Sequence, residues 1–230
     1  QNNNSRGLDF VKQYQDYRIS WTKTFVVPRQ QELVTVCFVG DSHSRRGVEA
    51  LIDMGLTKHS INATHVEVKF LRHLLNRDRE EKLKSLAVCD RMIFAAGQWD
   101  FSHQHGKVPE TFTSYENNLQ LVVEMLHEHF PHVPVLGRNI HFNGMGSNYA
   151  GCKPRDWRSP TTVRQMTNIV KRVFENSEHD QFTFLDTNSV VEPFWDSSVD
   201  FSHLIQPVLE AETMLLLSEA LKLRLPAALG

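Results

Sequence analysis

Cysteine is scarce in this 230-residue chain and odd in number, with only Cys37, Cys89 and Cys152. No C-x-x-C pair occurs, so neither a disulfide-dense scaffold nor a cysteine-based zinc site fits. No apolar run approaches the ~20 residues that cross a bilayer, and no charged-then-apolar signal opens the chain, so direct membrane insertion by this segment is not expected. An excess of positive charge is also missing: 25 Lys and Arg stand against 27 Asp and Glu. Without a basic stripe interleaved with aromatics, nucleic acid is a poor partner. His103, His105, His127, His129 and His132 cluster in sequence, but no H-E-x-x-H pair is present and positions 127 and 129 point to different sides of a helix. They read as solvated helix-end and loop residues, and no metal or other cofactor is expected.

What is present is ordinary for a soluble globular protein, 40% hydrophobic and 23% charged, and the length suits one α/β domain. Short apolar runs alternate with longer amphipathic ones. Leu33–Val39, Val66–Leu71, Arg91–Ala96, Val133–Leu136 and Phe182–Asp186 read as five strands. Ser44–Met54, Arg77–Leu86, Thr111–Phe130, Pro160–Glu175 and Ile205–Leu223 read as helices. Such βα alternation predicts a single three-layer αβα domain with a mainly parallel five-stranded sheet. Residues 1–31 read as a leader or linker, and residues 32–230 as one folded domain. The opening "QNNNSRGLDF" reads as a cut edge, which leaves room for a signal or anchor upstream. Asn3-Asn4-Ser5 and Asn62-Ala63-Thr64 are sequons that would accept glycans in a secretory compartment.

One corner asks a chemical question. "FVGDSHSRRGVEAL", Phe38 to Leu51, leaves a strand through Gly40-Asp41-Ser42-His43 and enters a helix, and Ser42 is either a nucleophile or a helix cap. In open parallel sheets reactive groups gather outside the carboxyl ends of the strands, which is where this corner falls. It is not a Gly-x-Ser-x-Gly elbow, because Ser44 stands where the second glycine would be. A base must come from elsewhere, and "SVDFSHLIQ" offers Asp200 and His203 three residues apart, a spacing at which the carboxylate can orient the imidazole. The same D-x-x-H can also be a helix cap beside a surface histidine.

Together "GDSH" at 40–43 and "DFSH" at 200–203 resemble the SGNH, or GDSL-type, hydrolase superfamily. "RMIFAAGQWD" and "GRNIHFNGMGSNYAGC" narrow the resemblance to the PC-esterase and trichome-birefringence-like group, over most of residues 33–225. The resemblance implies a flavodoxin-like SGNH fold and serine-based acyl chemistry. It implies an acyl-serine at Ser42 with His203 and Asp200 completing a triad, and transfer or hydrolysis of O-acetyl groups on carbohydrate. The partner would then be a glycan or other O-acylated small molecule. The superfamily's block-two glycine is missing, since no glycine lies between Gly55 and Gly97, and Trp99 occupies the place of its oxyanion-hole Asn. Backbone N–H groups of Ser42 and the Gly97 turn remain as donors, with Gln98 or Asn139 as side-chain candidates and Asp41, Trp99, Arg138 and His141 as further site residues. The same departures support a second reading, a catalytically weak SGNH-fold carbohydrate-binding or structural module.

Trp99, Trp157 and Trp195 fall in loops near the catalytic edge, where flat rings could stack on sugars or simply join the core. Sugar acetylation and the sequons suggest a secretory lumen or the extracellular space, with the cytoplasm as the alternative. Aligning Gly40 with Gly97 at one sheet edge sets Cys37 and Cys89 ~16 Å apart along the strands, which predicts that they are not bonded to each other and leaves Cys152 free or paired elsewhere.

Overall fold

The computed structural model describes residues 33–58, 61–76, 78–101, 110–141, 160–191 and 203–222. Five strands form one all-parallel sheet: β1 (Val34–Gly40), β2 (Ile61–Glu67), β3 (Arg91–Ala95), β4 (Val135–Arg138) and β5 (Phe182–Leu185), in the order β2-β1-β3-β4-β5. This is the flavodoxin-like arrangement, whose switch point lies between β1 and β3. The helices are α1 (Ser42–Asp53), α2 (Arg72–Leu75), α3 (Arg79–Leu86), α4 (Phe112–His129), α5 (Pro160–Glu175), α6 (Asn188–Val191) and α7 (Gln206–Lys222).

The alternation of side chains along β1 builds the three layers. Val36 and Phe38 pack with Val48 and Leu51 of α1 and Leu216 and Leu217 of α7. Cys37 and Val39 face the opposite layer, where Tyr115, Leu119 and Leu126 of α4 and Val163, Met166 and Val170 of α5 complete the larger core. The expected fold class is the observed one. Both central strands are apolar on both faces, as a doubly covered parallel sheet requires.

Two expectations are corrected. The second strand runs over Ile61–Glu67 instead of Val66–Leu71. As an edge strand it tolerates the exposed Asn62 and the half-exposed Ala63, Thr64 and His65. The apolar alternation that continues through Val68, Phe70 and Leu71 belongs to a segment that has left the sheet, tied by the Leu71 N–H to Asp100 Oδ2 at 3.3 Å. The cysteine expectation also fails, because Cys37 and Cys89 are bonded, with Cα atoms 5.6 Å apart. Gly40 pairs with Ala95 and not with Gly97, so the register is two residues tighter than assumed. Cys89 is moreover not extended: its N–H closes a turn onto Leu86 O at 3.1 Å, while Asp90 N–H bonds Thr35 O at 2.9 Å. A rise of ~3.3 Å per residue does not apply to a turn. Cys152 lies outside the described residues.

Candidate active site

β1 and β3 end side by side at Gly40 and Ala95. A Cβ on Gly40 would collide with Ser44 Oγ and Ala95 O, so only glycine lets the two strand ends approach. The Gly40 carbonyl accepts from Val68 N–H at 2.8 Å and lies 3.0 Å from His65 Nε2, which pins the corner to β2.

The residue that caps α1 is Asp41. Its backbone is extended and its carboxylate accepts the His43 N–H at 2.9 Å. Ser42 is therefore the first helical residue, and its hydroxyl is released from capping duty. Ser42 Oγ lies 2.8 Å from His203 Nε2, across 161 residues of sequence. His203 stands just before α7, which packs on α1 and brings it there. Asp200 lies outside the described residues. Asp41 itself is buried, and burial pushes its pKa up, opposed by the His43 N–H bond and by Arg138, His141 and His203 nearby.

At the end of β3 the chain turns at Gly97, whose φ of 124° favours glycine. The Tyr115 ring occupies the space a Cβ would need, and its hydroxyl donates to Ala96 O at 3.0 Å. Gln98 is buried, while Trp99 is half-buried with Lys69 Nζ 5.3 Å from its ring centroid. Asp100 closes this loop by donating its N–H to Gly97 O at 3.0 Å. Burial raises its carboxyl to about 7.

Arg138, Asn139 and His141, at the end of β4, sit beneath the serine in a buried layer. His141 is 1% exposed and Asn139 0%. Asn139 Oδ1 accepts from Thr187 N–H at 2.7 Å, and its amide donates to Asn188 Oδ1. Its side chain is fully buried among these partners and is not presented at the surface. His141 Nε2 lies 2.6 Å from Glu212 Oε1, and Arg138 Nη1 lies 3.6 Å from the same oxygen. Thr187 Oγ1 donates to that oxygen at 2.7 Å. Burial would raise the Glu212 carboxyl, but His141, Arg138 and the two hydrogen bonds overcome it and hold it at about 2. On the other side, His141 Nδ1 is 2.9 Å from His43 Nδ1.

Glu212, Thr187 and His43 went unmarked in the sequence reading. Glu212 carried a visible signal: it lies three residues after Leu209 and four before Leu216, a carboxylate on the apolar face of a helix. Trp157, Trp195, His103 and His105 lie outside the described residues. His127, half-buried in the last turn of α4, stacks on His179 with centroids 3.5 Å apart, and its Nδ1 lies 2.7 Å from Gln181 Oε1. Among the described residues no group of three or more His, Cys, Asp or Glu is arranged to hold a metal ion.

No protein-family model matches the sequence, and no curated protein aligns with it significantly. Solved structures do match in fold. An acetyl xylan esterase, AlAXEase, superposes with a TM-score of 0.59 at 15% identity, covering 81% of this chain and 99% of that one. Axe2, an acetylxylan esterase from Geobacillus stearothermophilus, gives 0.53 at 13% identity over 87% and 100%. A candidate GDSL-like lipase from Parabacteroides merdae gives 0.55 at 16% identity over 83% and 98%. The chain thus has the fold of these proteins.

Proposed function

We propose that the protein is a serine-dependent acyl enzyme of the SGNH type that acts on O-acetyl groups of carbohydrate. The observation that carries this reading is the 2.8 Å contact between Ser42 Oγ and His203 Nε2 at the switch point of the sheet. Ser42 donates its hydroxyl proton to His203 as its oxygen attacks the ester carbonyl. The backbone N–H groups of Ser42 and Gly97 take the developing oxyanion, and the imidazolium returns the proton to the leaving sugar oxygen. A second hydroxyl then releases the acyl group through the reverse sequence. Asp200 orients His203. The fold shared with acetyl xylan esterases supports a carbohydrate ester as substrate.

The finer reading is O-acetyl transfer, in which a bound sugar hydroxyl replaces water in the second half-reaction. It rests on the likeness of residues 91–100 and 137–152 to the PC-esterase group and on the half-buried Trp99 at the site's edge. A secretory or extracellular setting is supported by the buried Cys37–Cys89 bond, since such bonds persist in oxidising compartments.

The test is labelling with a fluorophosphonate, followed by turnover of a small acetyl ester and an acetylated glycan panel. Labelling should map to Ser42, and Ser42→Ala and His203→Ala should each abolish turnover to a similar extent, because the two act as a unit. Turnover by Ser42→Ala at the wild-type rate removes the serine mechanism. Acetate release indifferent to every glycan removes the transfer reading and leaves a plain esterase.

A further inference from the structure

Beneath the serine lies a chain of groups that the mechanism above does not use: Glu212, His141 and His43. We propose that Glu212, acting through His141, fixes the tautomer and ring orientation of His43, and that His43 is a positioning residue for the Ser42–His203 pair. The role assigned to His43 rests on the serine reading, whereas the tautomer does not.

Proton placement follows from the distances. Glu212 is a carboxylate, so the 2.6 Å contact requires a proton on His141 Nε2. Arg138 Nη1 lies 2.7 Å from that nitrogen, but it cannot donate to a nitrogen already protonated. It serves as the counter-ion to Glu212 and donates to Asn139 O at 3.2 Å. The Arg138 guanidinium against this ring disfavours a second positive charge on it, and a neutral His141 offers only a lone pair at Nδ1. The 2.9 Å contact with His43 Nδ1 therefore needs the proton on His43. His43 is held with its proton on Nδ1, the reverse of the tautomer that imidazole prefers in water. This is the logic by which a triad carboxylate fixes its histidine, relayed through a second imidazole.

The rings complete the clamp. His43 meets His141 edge-on with centroids 4.7 Å apart, and lies against His203 at 4.8 Å with the planes tilted by 37°. Among the described residues, the charged and titratable groups near His43 include Asp41 before α1, Arg138 and His141 at the end of β4, and His203 and Glu212 before and on α7. Arg138 neutralises Glu212, so the pair adds no net charge near His43 and His203 as the His203 ring takes the serine proton. A His43 free to rotate or to gain a proton would disturb the ring that meets Ser42.

Nitrogen-15 spectra of the full chain read the tautomers directly, with no need for activity. The wild type should show His43 protonated at Nδ1 and His141 at Nε2, and Glu212→Gln should erase the preference at His43. An imidazolium at His141, or a His43 protonated at Nε2 in the wild type, overturns the assignment. For the positioning role, His43→Phe keeps a ring against His203 and loses the hydrogen bond. Its kcat and phosphonate labelling rate should fall about 10- to 100-fold, as for a group displaced by a fraction of an ångström, with KM unchanged. Wild-type kcat in a folded His43→Phe protein overturns that role. If wild-type Ser42 is not labelled at all, the serine reading has failed and not the tautomer assignment.

Discussion

Replacing Cys37 and Cys89 together by alanine removes a cross-link that closes a segment of 52 residues, including α1, β2, α2 and α3. The loop-entropy relation for that length gives about 4 kcal/mol of lost stability at 25 °C, as the unfolded chain regains freedom. In a domain of this size each kcal/mol moves the melting temperature by about 2–4 °C, so the expected fall is about 10 °C. Both sulfurs are buried in the larger core, and their loss from packing adds to the change without reversing it. The assay is calorimetry of the oxidised wild type and the double variant, paired with a non-reducing peptide map. Two free thiols in the native protein, or melting temperatures that coincide, would refute both the bond and the β1–β3 register that creates it.

Asp100→Asn should change stability in a pH-dependent way. The carboxyl is raised from 3.8 to about 7 in the fold, so the native state binds more protons than the unfolded one between those values. Its favourable contribution is complete below pH 4 and is lost as pH rises through 7. At ~1.4 kcal/mol per unit the loss is about 4 kcal/mol at most. The variant keeps an acceptor for the Leu71 N–H, so it should match the wild type at pH 4 and melt higher at pH 8. A difference constant across that range contradicts the shift. Asn62 is exposed on the edge strand β2 and should carry a glycan when the chain is expressed through a secretory pathway. A mobility shift on deglycosylation, lost in Asn62→Gln, checks it; an unshifted band counts against the sequon.

Where a property depended on local pattern, the sequence displayed it. The apolar runs of β1 and β3, the amphipathic α4 and the long, mostly apolar α7 were legible within a residue or two, because burial on both sheet faces, a 3.6-residue period and sustained apolar character leave direct marks. The chemistry of the corner was only half legible: Asp41 and Ser42 are both good caps, and the choice between them is a matter of backbone conformation that the letters do not encode. Register was not legible. A two-residue slip between Gly40 and Gly97, and a turn at Cys89, reversed the cysteine prediction. Arg138, Asn139 and His141 of the buried layer under Ser42 were marked, but their partners escaped for a similar reason. His43 reads as the fourth letter of a motif and Glu212 as one more charge on a helix until α1 and α7 are packed together.

That layer sets stability against function. Desolvating Glu212, Arg138 and His141 costs free energy that their mutual attraction does not always repay, and buried ion pairs elsewhere are often replaced by apolar residues with no loss. Removing Arg138 alone is different, because it strands a buried carboxylate at a cost of about 3–5 kcal/mol. The two cases separate the roles of the array. Arg138→Met in the otherwise native chain should destabilise strongly. Combining it with Glu212→Leu, His141→Leu and His43→Phe removes the charged and titratable groups of the array at once and should restore most of the melting temperature. If the array exists for the fold, recovered stability brings recovered activity. If it exists to hold His43 against His203, the fourfold variant is stable and slow, with kcat down about 10- to 100-fold and KM intact. A stable fourfold variant with wild-type kcat would show that the fold alone places His203, and the buried imidazoles would then have no part in the serine's alignment.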